Sequence, residues 1–135
     1  MGLDMFMYSR KKFRENDPEY NKLVKENRKE VAYWRKANQI RGWIIEHTDY
    51  KCSDNCEIVE ISKETLEQLL ADCKKIKANP NCGPEIMPVT GGFFFGTYEY
   101  DGLYMGKIDE TIRQVEDILL NTDFDKEVIE YSDWW

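Results

Sequence analysis

The chain has 135 residues, 41% of them hydrophobic and 13% aromatic, and a formal net charge of −7. That length suits one domain with its own core, expected over 1–135, and leaves too little for two. No apolar run approaches the roughly 18 residues of a membrane span, and the acidic balance argues against duplex nucleic acid, whose phosphates call for a surplus of Lys and Arg.

The N-terminus places its charges after its apolar residues and lacks a secretory h-region, so a cytoplasmic location is expected. In a reducing compartment Cys52, Cys56, Cys73 and Cys82 read as free thiols, with Cys73 buried as a small hydrophobe. Their spacing does not match the paired knuckles of structural zinc sites, and neither a metal nor a cofactor is expected.

Leu3 to Tyr8 alternates Leu3, Met5 and Met7 against Asp4, Phe6 and Tyr8, which predicts a first strand covered on both faces. Arg10, Lys11, Lys12 and Arg14 follow as a short basic patch before Asp17-Pro18 turns the chain. It reads as a solvated strand end or as an anion contact. The state of 19–30 is left open. From Val31 to His47 the spacing predicts a central helix, with Tyr33, Ala37, Ile40 and Ile44 on its core stripe. A second stripe carries Trp34, Asn38, Arg41 and Ile45. An indole, a carboxamide and a guanidinium on one flank can stack on a flat group, bond its edge and neutralise an anion.

Cys56 to Ile61 predicts a short strand, and Ser62 caps a helix that keeps Leu66, Leu69, Leu70, Cys73 and Ile76 in register. Its acids sit early and its lysines late, as the helix dipole favours. Asn79-Pro80 and Cys82-Gly83-Pro84 end it, with loop expected through Pro88. Gly91 to Gly96 encloses three consecutive phenylalanines, Phe93 to Phe95. As a strand it must be buried on both faces or turn one Phe toward a pocket. No lysine follows at the phosphate-loop offset, so a phosphate-cradling loop is disfavoured. Thr97 to Lys107 reads as a polar aromatic segment. Asp109 and Glu110 open a last helix that buries Ile108, Ile112, Val115, Ile118 and Leu119, and Val128 to Ser132 reads as the closing strand. Unequal crossovers and the absence of a glycine fingerprint disfavour a doubly wound parallel sheet. The expected fold is α+β: a small, largely antiparallel sheet of about four strands, with three main helices mainly on one side.

Four stretches together resemble an uncharacterised family of small bacteriophage and prophage proteins. They are Met1-Gly2-Leu3-Asp4-Met5; Tyr33-Trp34-Arg35-Lys36-Ala37-Asn38 with Ile40 and Trp43; Gly92-Phe93-Phe94-Phe95-Gly96 with Tyr100-Asp101; and Tyr131-Ser132-Asp133-Trp134. The resemblance spans most of the chain and brings no established activity. The family carries a histidine where this chain has Arg41, a departure that disfavours a histidine mechanism and keeps a hydrogen-bond donor. The implied phage source points to an accessory role against host defences, an analogy of gene context.

Three functions follow. The first is a protein that holds a small, flat, anionic ligand of nucleotide type and sequesters it. Trp34 or Trp43 would stack on the base, with Phe94, Tyr98 and Tyr100 as further aromatic lining. Asn38 and Gln39 would read its edge, and Arg35 or Arg41 would meet phosphate. The same residues also fit interior packing, with an arginine on a buried carboxylate such as Asp4 or Asp101. The second is an acidic inhibitor that grips a host defence protein through exposed aromatics. The third, least favoured, is a nucleotide-processing enzyme: His47 is the chain's single histidine, its place at a helix end is that of a dipole partner, and no catalytic residue is assigned. Assembly into a homo-oligomer, with pockets between chains, is left open.

Overall fold

The computed structural model describes residues 2–12, 28–51, 57–89 and 102–135. Its elements are β1 (Asp4–Lys11), β2 (Lys29–Arg35), α1 (Asn38–His47), β3 (Ile58–Ile61), α2 (Lys63–Ala78), a 3-10 turn (Pro80–Cys82), α3 (Gly83–Ile86), α4 (Gly102–Asn121) and β4 (Glu127–Trp134). The strands form one sheet in the order β2-β1-β4-β3, every pair antiparallel. The fold is α+β, as the sequence led us to expect.

Strand alternation decides the two faces of the sheet. Met5, Met7, Ala32, Trp34, Ile129 and Tyr131 are buried on the inner face, in register across β2, β1 and β4. The three longer helices gather on this face. Trp34 Nε1 donates to Thr111 Oγ1 of α4 at 2.9 Å, Arg41 of α1 reaches Asp133 of β4, and Trp43 Nε1 donates to Asp72 Oδ2 of α2 at 2.8 Å. Ile40, Ile44, Leu66, Leu69, Ile76, Ile108 and Val115 complete the core. Burying such a side chain stabilises by about 1.5–3 kcal/mol, far more than any surface ion pair.

The α2 prediction is borne out in detail: Ser62 Oγ accepts from the Thr65 amide at 3.1 Å, and Leu66, Leu69, Cys73 and Ile76 are buried. Burial, and secondarily the neighbouring Asp72, push the Cys73 thiol up to about 12. At pH 8, iodoacetamide should therefore modify half-buried Cys82 about a hundredfold or more faster than Cys73, as followed by peptide mass spectrometry.

Three local expectations are corrected. There is no single helix from Val31 to His47: residues 29–35 are a strand, and the helix begins only at Asn38. Val31, Tyr33 and Trp34 suit a pleated surface, and burial there alternates, Ala32 and Trp34 inside, Tyr33 and Arg35 exposed. The last helix starts at Gly102 instead of near Asp109, so Tyr104 belongs to it and is buried. Between α2 and Pro88 the chain forms a 3-10 turn and the short α3 where loop was expected. The GFFFG segment and Arg14 lie outside the described residues.

At Tyr33 the outer edge of β2 is closed by a side chain. Gln114 of α4 accepts the Tyr33 amide on Oε1 at 2.8 Å and donates from Nε2 to the Tyr33 carbonyl at 3.0 Å, standing in for a neighbouring strand. Gln114→Ala should cost about 1 kcal/mol and speed hydrogen exchange at the Tyr33 amide, with little change at Trp34.

Candidate functional site

The turn joining β2 to α1 builds the site. Lys36 takes a left-handed conformation, φ 55°, and its amide donates to the Leu3 carbonyl at 2.7 Å. This fixes an abrupt change from strand to helix across Lys36 and Ala37, with Lys36 at a backbone angle that costs a non-glycine residue about 1–3 kcal/mol. Ala37 follows at the N-cap and supplies no side-chain cap, and the first turn of α1 holds no acid. The positive end of the helix is thus left without the usual negative partner from its own sequence.

Beside this turn lies a cavity of about 280 Å³. Arg35, Lys36 and Lys107 bring three cationic side chains to it, Asn38 and Gln39 bring carboxamides, and Val89, Leu103 and Tyr104 bring apolar surface. Arg35 and Lys36 make no salt bridge among the described residues, whereas Lys107 Nζ stands 3.5 Å from Glu110 Oε2. Asn38 and Gln39 are almost wholly buried. Gln39 Nε2 donates to the Tyr104 carbonyl at 3.2 Å, which orients its carboxamide. Tyr104 is itself held, its hydroxyl donating to the Met87 carbonyl at 2.7 Å. Its ring passes so close to Gly83 that a Cβ there would stand 3.1 Å from the phenol oxygen. The part of the wall formed by Gln39 and Tyr104 is therefore fixed before any ligand arrives.

Two other concavities carry mixed charge. A cleft of about 440 Å³ sets Lys29 among Glu30, Asp117 and Glu127, and Lys11 and Lys12 share a groove with Asp123 and Asp125. Arg10, the first residue of the basic patch, is buried and paired with Glu130 at 2.9 Å. Neither location presents a surplus of positive charge.

Of the expected site residues, Arg35, Asn38 and Gln39 do meet in the cationic cavity. Trp34 and Trp43 do not: both are buried, with their indole N–H groups bonded to Thr111 and Asp72. Neither indole offers a face on which a base could stack. Arg41 is also drawn away, its Nε donating to Asp133 Oδ2 at 2.7 Å and its guanidinium 4.9 Å from the Trp135 ring centroid. Its carboxylate partner is Asp133; Asp4 instead accepts from the Tyr33 hydroxyl, and Asp101 lies outside the described residues. Phe94, Tyr98 and Tyr100 lie outside the described residues. Lys36, Lys107, Val89, Leu103 and Tyr104 are additions, and only Lys36 had a signal, its place between Arg35 and Asn38.

The His47 ring stacks on Trp43, centroids 3.9 Å apart, and its Nδ1–H donates to the Trp43 carbonyl at 2.8 Å. Among the described residues no group of three or more His, Cys, Asp or Glu is arranged to hold a metal ion, and no helix is long and apolar enough to cross a membrane. No protein-family model matches the chain, and no curated protein or solved structure is found to be similar to it.

Proposed function

We propose that the chain is a binding protein for a small anionic ligand, of nucleotide type, held at the turn between β2 and α1. One observation carries the reading: in a protein of net charge −7, Arg35, Lys36 and Lys107 converge on one preformed cavity lined by buried carboxamides. A local reversal of sign in a concave, partly apolar site concentrates anions there and strengthens each contact they make. Asn38 and Gln39 supply edge recognition, the three cations meet phosphate, and Val89 with Leu103 covers a flat face.

A volume of about 280 Å³ sits at the small end of ligand sites, which favours a mononucleotide-sized group over a long oligonucleotide. In the phage setting that the family resemblance implies, such binding would withdraw a signalling nucleotide from a host defence. Substituting Lys36 and Lys107 together by Ala should weaken a phosphate-bearing ligand by about 1–3 kcal/mol, read by calorimetry, while the folded circular-dichroism spectrum is kept.

The second reading, an inhibitor that grips a host defence protein, draws on the outer sheet face, where Tyr33, Ile58 and Trp134 are exposed. Among the described residues, two of the other aromatics that could serve it are withdrawn from the surface in whole or in part. Tyr104 is buried, Trp135 lies half-buried near Arg41, and Tyr98 and Tyr100 lie outside the described residues. Substituting Tyr33 and Trp134 by Ser would abolish a protein complex and leave ligand binding at the cavity intact.

A further inference from the structure

Arg28, just before β2, carries two charged donors with no answering group among the described residues. Its guanidinium lies over the Tyr8 ring, 3.7 Å from the centroid. Nε and Nη2 are buried and have no hydrogen-bond partner among the described residues. The neighbouring outer-face guanidinium, Arg10, shows the ordinary arrangement, its Nε paired with Glu130 Oε1 at 2.9 Å.

The sheet explains how Arg28 reached this face. Met7 pairs with Ala32 but Tyr8 pairs with Glu30, so Val31 is an extra residue in β2. A bulge reverses the alternation beyond it, sending Glu30 and then Arg28 to the side that Tyr8 occupies. The ring of Tyr8 satisfies the face of the guanidinium and does nothing for its edge.

The identity of the two orphaned atoms is informative. Nε and Nη2 are the parallel donors of one guanidinium edge, spaced to meet two oxygens of a single carboxylate or phosphoryl group. Buried charged donors are ordinarily paired, and an unpaired pair in a native fold calls for an explanation such as an absent ion. We infer that the Nε/Nη2 edge of Arg28 is an oxyanion receptor, taking a carboxylate or phosphoryl group bidentately with Tyr8 as its platform.

This site is independent of the cavity at the far end of β2, roughly 23 Å away at the usual strand rise. Both donors are buried, so an anion that pairs with them meets desolvated charge, and its binding stabilises the occupied form. Glu30 is the nearest internal competitor by register; it is exposed and forms no salt bridge with Arg28.

The test uses full-length protein labelled with 15N-arginine. The arginine Nε–Hε resonances are followed during titration with inorganic phosphate, with acetate and with chloride at matched ionic strength. The resonance missing from the Arg28→Lys spectrum should move downfield with phosphate or acetate and stay in place with chloride. Whichever oxyanion saturates it at lower concentration identifies the source as phosphoryl or carboxylate. The thermal midpoint should rise with the same anion in the wild type. Arg28→Lys, which keeps the charge and loses the fork, should need about tenfold more anion for the same rise. The inference is overturned if the resonance ignores both oxyanions, if Arg28→Lys responds as the wild type does, or if the resonance already lies downfield in chloride and Glu30→Gln shifts it.

Discussion

Replacing Asp133 by Ala should cost about 3–5 kcal/mol of folding free energy, measured by urea unfolding with unchanged m-value. Asp133 Oδ2 accepts from Arg41 Nε and from the Tyr131 hydroxyl, both at 2.7 Å, and Oδ1 accepts from the Tyr50 hydroxyl. The Asp133 side chain is wholly buried and that of Arg41 nearly so. Alanine would strand a buried guanidinium without this counter-charge and leave two phenols without this acceptor, and those desolvation terms dominate the loss. Since the cost arises from the orphaned partner, Arg41→Met with Asp133→Leu should recover more than half of it. A double-mutant cycle measures the coupling. Burial, and then the Asp133 charge, hold the Tyr131 phenol well above its ordinary value of 10.0. A folded-state pKa raised in this way favours the native state below about pH 10, and the contribution is lost as alkali approaches the folded pKa, so the network is intact across neutral pH.

Trp34→Ala should destabilise by a similar amount, about 3–5 kcal/mol, because a fully buried indole in β2 is replaced by a void. Trp34→Phe should cost only about 1–2 kcal/mol: most of the apolar volume stays, and Thr111 keeps its own bond to the Lys107 carbonyl at 2.7 Å. The pair separates core packing from ligand stacking. A stacking platform would lose ligand in both variants with little change in stability. On the present account Trp34→Phe binds as tightly as the wild type.

Where the sequence carried a physical signal, it was readable. Ser62, the leucine register of α2 and its charge gradient all agreed, and the alternation of Leu3, Met5 and Met7 marked β1 unambiguously. The β2 to α1 boundary carried no such mark. Ala37 has no oxygen with which to cap a helix, and the left-handed turn residue is a lysine instead of the glycine or asparagine that would announce it. Tyr33, exposed on β2, and Ala37, Ile40 and Ile44, buried beyond it, happen to fall at helical spacing across the boundary. The start of α4 was hidden in the same way: Gly102 and Gly106 have low helix propensity, and Asp109-Glu110 imitates a first turn.

The site was legible in part for a related reason. Arg35, Asn38 and Gln39 flank the turn itself, so they come together whether the preceding residues are helix or strand. Lys107 and Tyr104 arrive through the packing of α4, which no local pattern announces. The indoles were misassigned because aromatic residues serve cores and ligand sites equally well, and only the fold shows which face Trp34 and Trp43 present.

The most direct test is native mass spectrometry of the protein purified from bacteria with active nucleotide-signalling defences, followed by denaturation and identification of whatever is released. The account predicts a stoichiometric, phosphate-bearing small molecule in the wild type and in Trp34→Phe, lost from the folded variant in which Lys36 and Lys107 are both Ala. A nucleotide retained by that double variant, or a wild-type protein that carries none and binds none from a nucleotide panel, would contradict it.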